Sequence, residues 1–220
     1  MSVDDLRRLV ENPREDTVQE LLQGLIDFPD LGPPATFDQH WRESTVATAI
    51  TTGLRVFTRA TNLHVCIDVR SKQNAAAKLY YDVLLETTGS AELNDATKPK
   101  AALLLELALV RVDEIVYPRE AGVGEDTGWR FKFDKVDAYL RQHENLFAIE
   151  VQPKARQKHG ATVEDAMKAK LTQLKEYRDH LQQTKQKKQG RSKQLVYQQP
   201  IKAFGVILVG TRFVVRALAP

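Results

Sequence analysis

The sequence predicts an α/β protein, a mixed sheet with helices packed on it. Three observations carry that reading. Three strand-like runs follow one another, LHVCIDVR (63–70), AKLYYDVLLETT (77–88) and AALLLELALVRV (101–112). A long amphipathic helix over 162–186 then leads into two more strands, IKAFGVILVG (201–210) and RFVVRAL (212–218), joined by a tight Gly-Thr turn. The run 101–112 is apolar on both faces, as a sheet's central strand is. Antiparallel hairpins first and a helical crossover later give a mixed sheet.

The elements follow in order. Residues 3–11 and 15–27 read as two short helices, with Asn12-Pro13 ending the first and Leu21, Leu22, Leu25 and Ile26 striping the second. The Pro/Gly-rich FPDLGPPATF (28–37) follows, so 1–37 is set apart as a helical extension, a lid or docking piece, from a main domain over 38–220. Trp41, Val46, Ile50, Leu54 and Phe57 recur at helical spacing over 39–60. Gly89, Ser90, Asn94, Asp95 and Pro99 mark the turn between the second and third strands. Gly122 to Gly128 reads as a loop, 134–145 as a short helix, and LFAIEVQ (146–152) as a strand or the tail of an insertion. Thr162 and Asp165 resemble a capping box with Asp in the usual Glu place, and Ala166, Leu171, Leu174, Tyr177 and Leu181 supply the helix's buried stripe.

With 220 residues and 42% hydrophobic content the chain can bury one real core. The net charge of +3 is a weak pointer to a polyanion, and its distribution matters more. Lys185, Lys187, Lys188, Arg191 and Lys193 crowd one short loop that contains no acidic residue. A single cysteine, Cys66 in an apolar run, excludes an internal disulfide and reads as core packing. The N-terminus lacks the apolar core of a signal peptide and no run is long enough to span a bilayer, so the expectation is an intracellular protein, nuclear or cytoplasmic, with no membrane partner.

One residue breaks the apolar pattern where breaking it is costly. LLLELALV (103–110) has a single carboxylate, Glu106, at its centre. A buried carboxylate needs a partner, and Leu, Val and Ala offer none. Asp82 has a similar setting one strand earlier. A hairpin centred near residue 94 sets Asp82 almost opposite Glu106. Facing carboxylates repel, and a hard divalent cation between them, Mg²⁺ or Mn²⁺, removes the conflict. The plainer reading pairs them with basic residues such as Lys78, Lys100 or Arg111.

A strand Asp, then Glu-x-Lys on the next strand, then helix and strand, resembles the PD-(D/E)XK nuclease superfamily. The matching pieces are Tyr81-Asp82 before Val-Leu-Leu, and Leu105-Glu106-Leu107-Ala108. Gln173-Leu-Lys-Glu-Tyr177 fits the Gln-x-x-x-Tyr motif of RecB-like members. Glu43, on the helix over 39–60, stands where such enzymes often keep an extra metal-contacting Glu. The likeness covers roughly 39–218, and its weight lies in the order of loose motifs. It implies a restriction-endonuclease-like fold and metal-dependent hydrolysis of DNA. Asp82 and Glu106 would hold the ion and Glu43 would assist. Gln173 and Tyr177 would orient the lysine, the metal site or the DNA backbone.

The departure is Ala108, where the motif has lysine. Three explanations stand: a deliberate silencing change, which the intact remainder favours, a natural binding-only member, or an amine supplied from elsewhere, with Lys168, Lys170 and Lys175 as sources. Glu150-Val151-Gln152 is a rival motif that ranks below Glu106, because Glu106 needs only a hairpin. The chain as written is therefore expected to be weak or inactive as a nuclease, and the alternative is a nuclease-fold module that binds nucleic acid or protein without cutting.

The other features carry less. His40, His64, His143, His159 and His180 have no partner at metal or triad spacing and read as surface or satisfied core residues. The basic loop is commonly just a solvated turn, but on a nuclease it would contact phosphates without reading sequence. The expected partner is DNA, through its phosphates. The resemblance, to nuclease domains found in mobile-element-associated, effector-like and toxin-like proteins, implies further domains of a longer parent chain; a homodimer is a separate expectation.

Overall fold

The computed structural model describes residues 9–27, 42–58, 63–67, 82–87, 101–123, 133–183 and 200–219. Helices α1 (Glu15–Asp27) and α2 (Glu43–Thr58) come first, followed by strands β1 (Leu63–Ile67), β2 (Val83–Thr87) and β3 (Ala101–Val110). Helix α3 (Phe133–Gln142), the one-turn helix Arg156–His159 and the long α4 (Val163–Gln183) lead to β4 (Lys202–Val209) and β5 (Arg212–Ala217).

The five strands lie in the order β1-β2-β3-β4-β5. All neighbours are antiparallel except β3 and β4, which run parallel across the helical crossover. This is the expected mixed α/β sheet, with the apolar β3 at its centre.

Strand alternation gives β3 two faces. Leu103, Leu105, Leu107 and Leu109 join Val46, Ile50 and Leu54 of α2 and Val18, Leu22 and Ile26 of α1 in one apolar cluster. The helix of the N-terminal segment thus shares a core with the sheet. On the other face Ala108 and Val110 pack with Ala166 and Met167 of α4, and Leu104 packs with Leu174 and Tyr177.

Local signals explain several junctions. The Thr162 N–H donates to Asp165 Oδ2 and the Asp165 N–H donates to Thr162 Oγ1, so the capping box forms with Asp in place of Glu. Gly210 adopts φ 56° in the turn from β4 to β5, a left-handed conformation that suits glycine.

Of the two readings of 146–152, the strand is the one that fails. Leu146–Ala148 is a 3₁₀ turn, and Glu150 and Val151 form only isolated bridges, to Thr162 and Ile115. Its alternation imitates a strand, but the Asn145 side chain accepts from the Phe147 N–H and starts a turn instead. Likewise β3 stops at Val110, because the Glu114 carboxylate takes the Arg111 N–H and folds 112–114 into a 3₁₀ turn. The basic loop 185–193 and most of the Gly122 to Gly128 loop lie outside the described residues.

Candidate functional site

The acidic pair is built by the β2–β3 hairpin. Val83 pairs with Leu105, so Asp82, one residue earlier, stands across from Glu106. Asp82 Oδ2 accepts a hydrogen bond of 2.7 Å from the Leu107 N–H. That bond extends the pairing past the end of β2 and fixes the carboxylate beside Glu106.

Glu106 is 2% exposed and faces α4. Its Oε2 is buried with no hydrogen-bond partner, the condition that folding avoids unless something else supplies one. Burial, and then the charge of Asp82, push its carboxyl up to about 8, against the pull of Lys170.

Lys170 of α4 brings the opposing charge. Its Nζ lies 3.3 Å from Oε1 of Glu106 and 3.3 Å from Oε1 of Glu43, the first residue of α2. Burial disfavours its charge, but Glu106, Glu43 and Asp82 outweigh that and raise it above the ordinary lysine value. The plain reading of the carboxylates as salt-bridged therefore holds for Glu106, with a different partner from those expected. Arg111 is committed to Glu114 and Asp113, and Lys78 and Lys100 lie outside the described residues.

Glycine makes this reach possible. Gly205 of β4 stands beside Glu106 in the parallel register. A Cβ there would lie 2.7 Å from Met167 Sδ and 3.2 Å from Leu171 Cδ2. The missing side chain lets α4 lie close against the strand next to Glu106, and Lys170 projects from that same stretch of helix.

The motif residues of α4 are joined to each other. Gln173 Nε2 donates to Tyr177 Oη at 2.5 Å, and Tyr177 is buried with Leu84, Leu104 and Leu174. Ala108 is buried two residues beyond Glu106, within an apolar cluster that includes Met167 and Ile207. Glu150 is exposed and outside the five-stranded sheet, which leaves the rival motif without a strand to present it. Lys185, Lys187, Lys188, Arg191 and Lys193 lie outside the described residues.

The residues fit a cation in kind. Two hard oxygen donors face each other, one of them with an orphaned buried oxygen. Mg²⁺ is commonly held by one or two carboxylates plus water and substrate phosphates. No cage of three or more acidic, His or Cys side chains occurs among the described residues. Glu43 joins the site through Lys170.

Two further features were missed from sequence. His159 is buried, with Nε2 3.4 Å from Glu114 Oε2 but poorly aligned for a hydrogen bond. The pair is 45 positions apart in sequence, so no local spacing signals it. A cleft of about 660 Å³, lined by Gln19, Gln23, Arg141, His143, Phe147 and Arg212 among others, shares no residue with the acidic site.

Fold and site together define an α/β protein with a mixed sheet and, on its central hairpin, a buried Glu106 across from a half-buried Asp82. No family model, no curated protein and no solved structure matches the chain. No helix among the described residues is long and apolar enough to cross a membrane.

Proposed function

We propose that the chain is a metal-dependent nuclease of the PD-(D/E)XK type, with a restriction-endonuclease-like fold, that hydrolyses DNA phosphodiester bonds. The observation that carries this reading is Glu106, a carboxylate buried at the centre of an apolar strand, across from Asp82, with one oxygen unpartnered. A sheet core tolerates such a pair poorly unless a cation completes it. The succession of α2, β1, β2, β3, α4 and β4 supports the same reading, because it carries Glu43, Asp82, Glu106, Gln173 and Tyr177 in the order the superfamily uses.

A divalent ion held by Asp82 and Glu106 would lower the pKa of a bound water and neutralise charge gathering on the phosphate. Asp82, anchored by the Leu107 N–H, supplies a fixed ligand direction. Glu106 contributes from a dry wall where electrostatic effects are strong. Gln173 and Tyr177 stiffen the face of α4 that covers the site. The five basic residues of 185–193 would hold DNA through its phosphates, with an affinity that falls steeply with salt.

A second reading has its own support. Lys170 already balances Glu106 and Glu43, and no three-ligand cage forms among the described residues. The chain would then be a nuclease-fold module that binds nucleic acid or protein, or an α/β domain whose carboxylates only make salt bridges. Mn²⁺ titration by calorimetry and cleavage of plasmid and linear DNA, each repeated with Glu106→Gln, separate the readings. Metal binding and cutting that are both lost in the variant support the nuclease. DNA binding without Mn²⁺ binding or cutting supports the module.

A further inference from the structure

We propose that Lys170 is the positioning amine of this site, replacing from α4 the lysine that β3 lacks at Ala108. The proposal rests on the nuclease reading above. Three observations on different elements converge on it. Lys170 Nζ is 3.3 Å from an oxygen of each of two carboxylates brought from β3 and α2. The side chain is only 16% exposed, so its charge is committed to the site rather than to solvent. The volume beside Ala108 is filled by an apolar cluster that includes Ala166, Met167 and Ile207, while Gly205 admits α4 close enough for Lys170 to reach Glu106.

The donor count favours the same role. The ammonium meets one oxygen each of Glu106 and Glu43 and leaves Glu106 Oε2 unpartnered, so the cluster keeps an oxygen for a further cation. Lys170 holds Glu106 and Glu43 in place and contributes a fixed positive charge beside them. No proton leaves it. In the hydrolysis it serves, the oxygen of water bonds to phosphorus as the phosphorus–ester oxygen bond breaks. The attacking water gives one proton to solvent and the leaving oxygen takes one up.

Four proteins test this: the parent, Lys170→Met, Ala108→Lys, and the double variant carrying both changes. Each is measured for Mn²⁺ affinity by calorimetry, for single-turnover cleavage of plasmid DNA, and for thermal stability. The parent is expected to bind Mn²⁺ and cut. Lys170→Met is expected to keep Mn²⁺ binding but to cut about a hundredfold more slowly, as when one preorganised electrostatic group is removed, with little change in KM. The double variant should stay slow, because the packed apolar cluster beside position 108 leaves a lysine there no room to reach the carboxylates.

Lys170→Met cutting at the parental rate would overturn the proposal and leave the nuclease standing. So would a silent parent awakened by Ala108→Lys alone, which would place the amine at position 108. If no protein binds Mn²⁺ or cuts, the nuclease reading itself falls and the proposal with it. Should Lys170→Met fail to fold, Lys170→Arg keeps the charge. Its planar head cannot replace a compact ammonium between two oxygens, so at least about a tenfold slower rate is expected, and a parental rate would overturn the proposal.

Discussion

Asp82 is tied to the backbone of Leu107, its Oδ2 accepting that N–H at 2.7 Å. The bond gives Asp82 two separable tasks, an acceptor for the strand and a negative charge beside Glu106. Asparagine can do the first but not the second, and alanine can do neither. Asp82→Asn should therefore fold with stability near the parent yet lose Mn²⁺ binding and cleavage. Asp82→Ala should lose both functions and also about 1–3 kcal/mol of stability, the cost of an unsatisfied backbone donor. Urea denaturation beside Mn²⁺ calorimetry checks the pair. Asp82→Asn with parental metal affinity would remove Asp82 from the ligand set.

The placement of Asp82 across from Glu106 was legible because a strand has period two and a hairpin's centre fixes its register. The Thr162–Asp165 box and the Gly210–Thr211 turn were legible for a similar reason, each being set by residues close together in sequence. Lys170 could be named only as one of three candidates. Which lysine of a helix reaches a strand depends on how close helix and strand approach, and Gly205, 35 positions away in sequence, controls that. Residues 146–152 misled because short alternation looks the same in a strand and in a run of turns held by isolated bridges. The His159–Glu114 contact had no local signal at all.

Gly205 makes the helix–strand approach testable. Gly205→Ala sets a methyl 2.7 Å from Met167 Sδ and 3.2 Å from Leu171 Cδ2, inside a region where Met167 is fully buried. Overpacking of this kind costs about 1–3 kcal/mol. The shift of α4 should also loosen Lys170 from Glu106, so cleavage should fall more than stability alone explains. Adding Met167→Ala removes the clashing atom, and the double variant should be more stable than the sum of the single effects. Strict additivity in urea melts would show that the glycine does not govern this approach.

The outer edge of the sheet depends on α1. Gln23 Oε1 accepts from the Phe213 N–H at 3.1 Å, and Gln23 Nε2 donates to the Thr211 carbonyl at 3.2 Å. Glu15 Oε1 accepts from the Ala217 N–H at 2.8 Å. These side chains occupy backbone groups that an edge strand otherwise offers to another chain. Gln23→Ala should cost about 1–3 kcal/mol, because it strips partners from both groups in a partly buried place. It should also raise self-association at high protein concentration. Size-exclusion chromatography with light scattering would show it, and a variant as stable and as monodisperse as the parent would refute the capping role.

Acid sensitivity should centre on Glu114. Burial alone would raise its carboxyl, but the contact with His159 and the hydrogen bonds and charge of Arg111 outweigh burial and hold it down at about 2. The Arg111 N–H donates to Oε2 at 2.8 Å and Arg111 Nη2 donates to Oε1 at 2.9 Å. A carboxyl whose folded pKa lies below its unfolded value binds fewer protons when folded. Its contribution is therefore complete above the ordinary carboxylate range and drains away as pH falls toward about 2. The size of the depression corresponds to about 3 kcal/mol at neutral pH. Glu114→Gln should consequently be less stable than the parent at pH 7 by an amount of that order. The gap should narrow steadily between about pH 5 and pH 2. Thermal melts of both proteins across that range decide the matter. A gap that stays constant down to pH 2 would mean that the glutamate's charge contributes nothing and that only its packing matters.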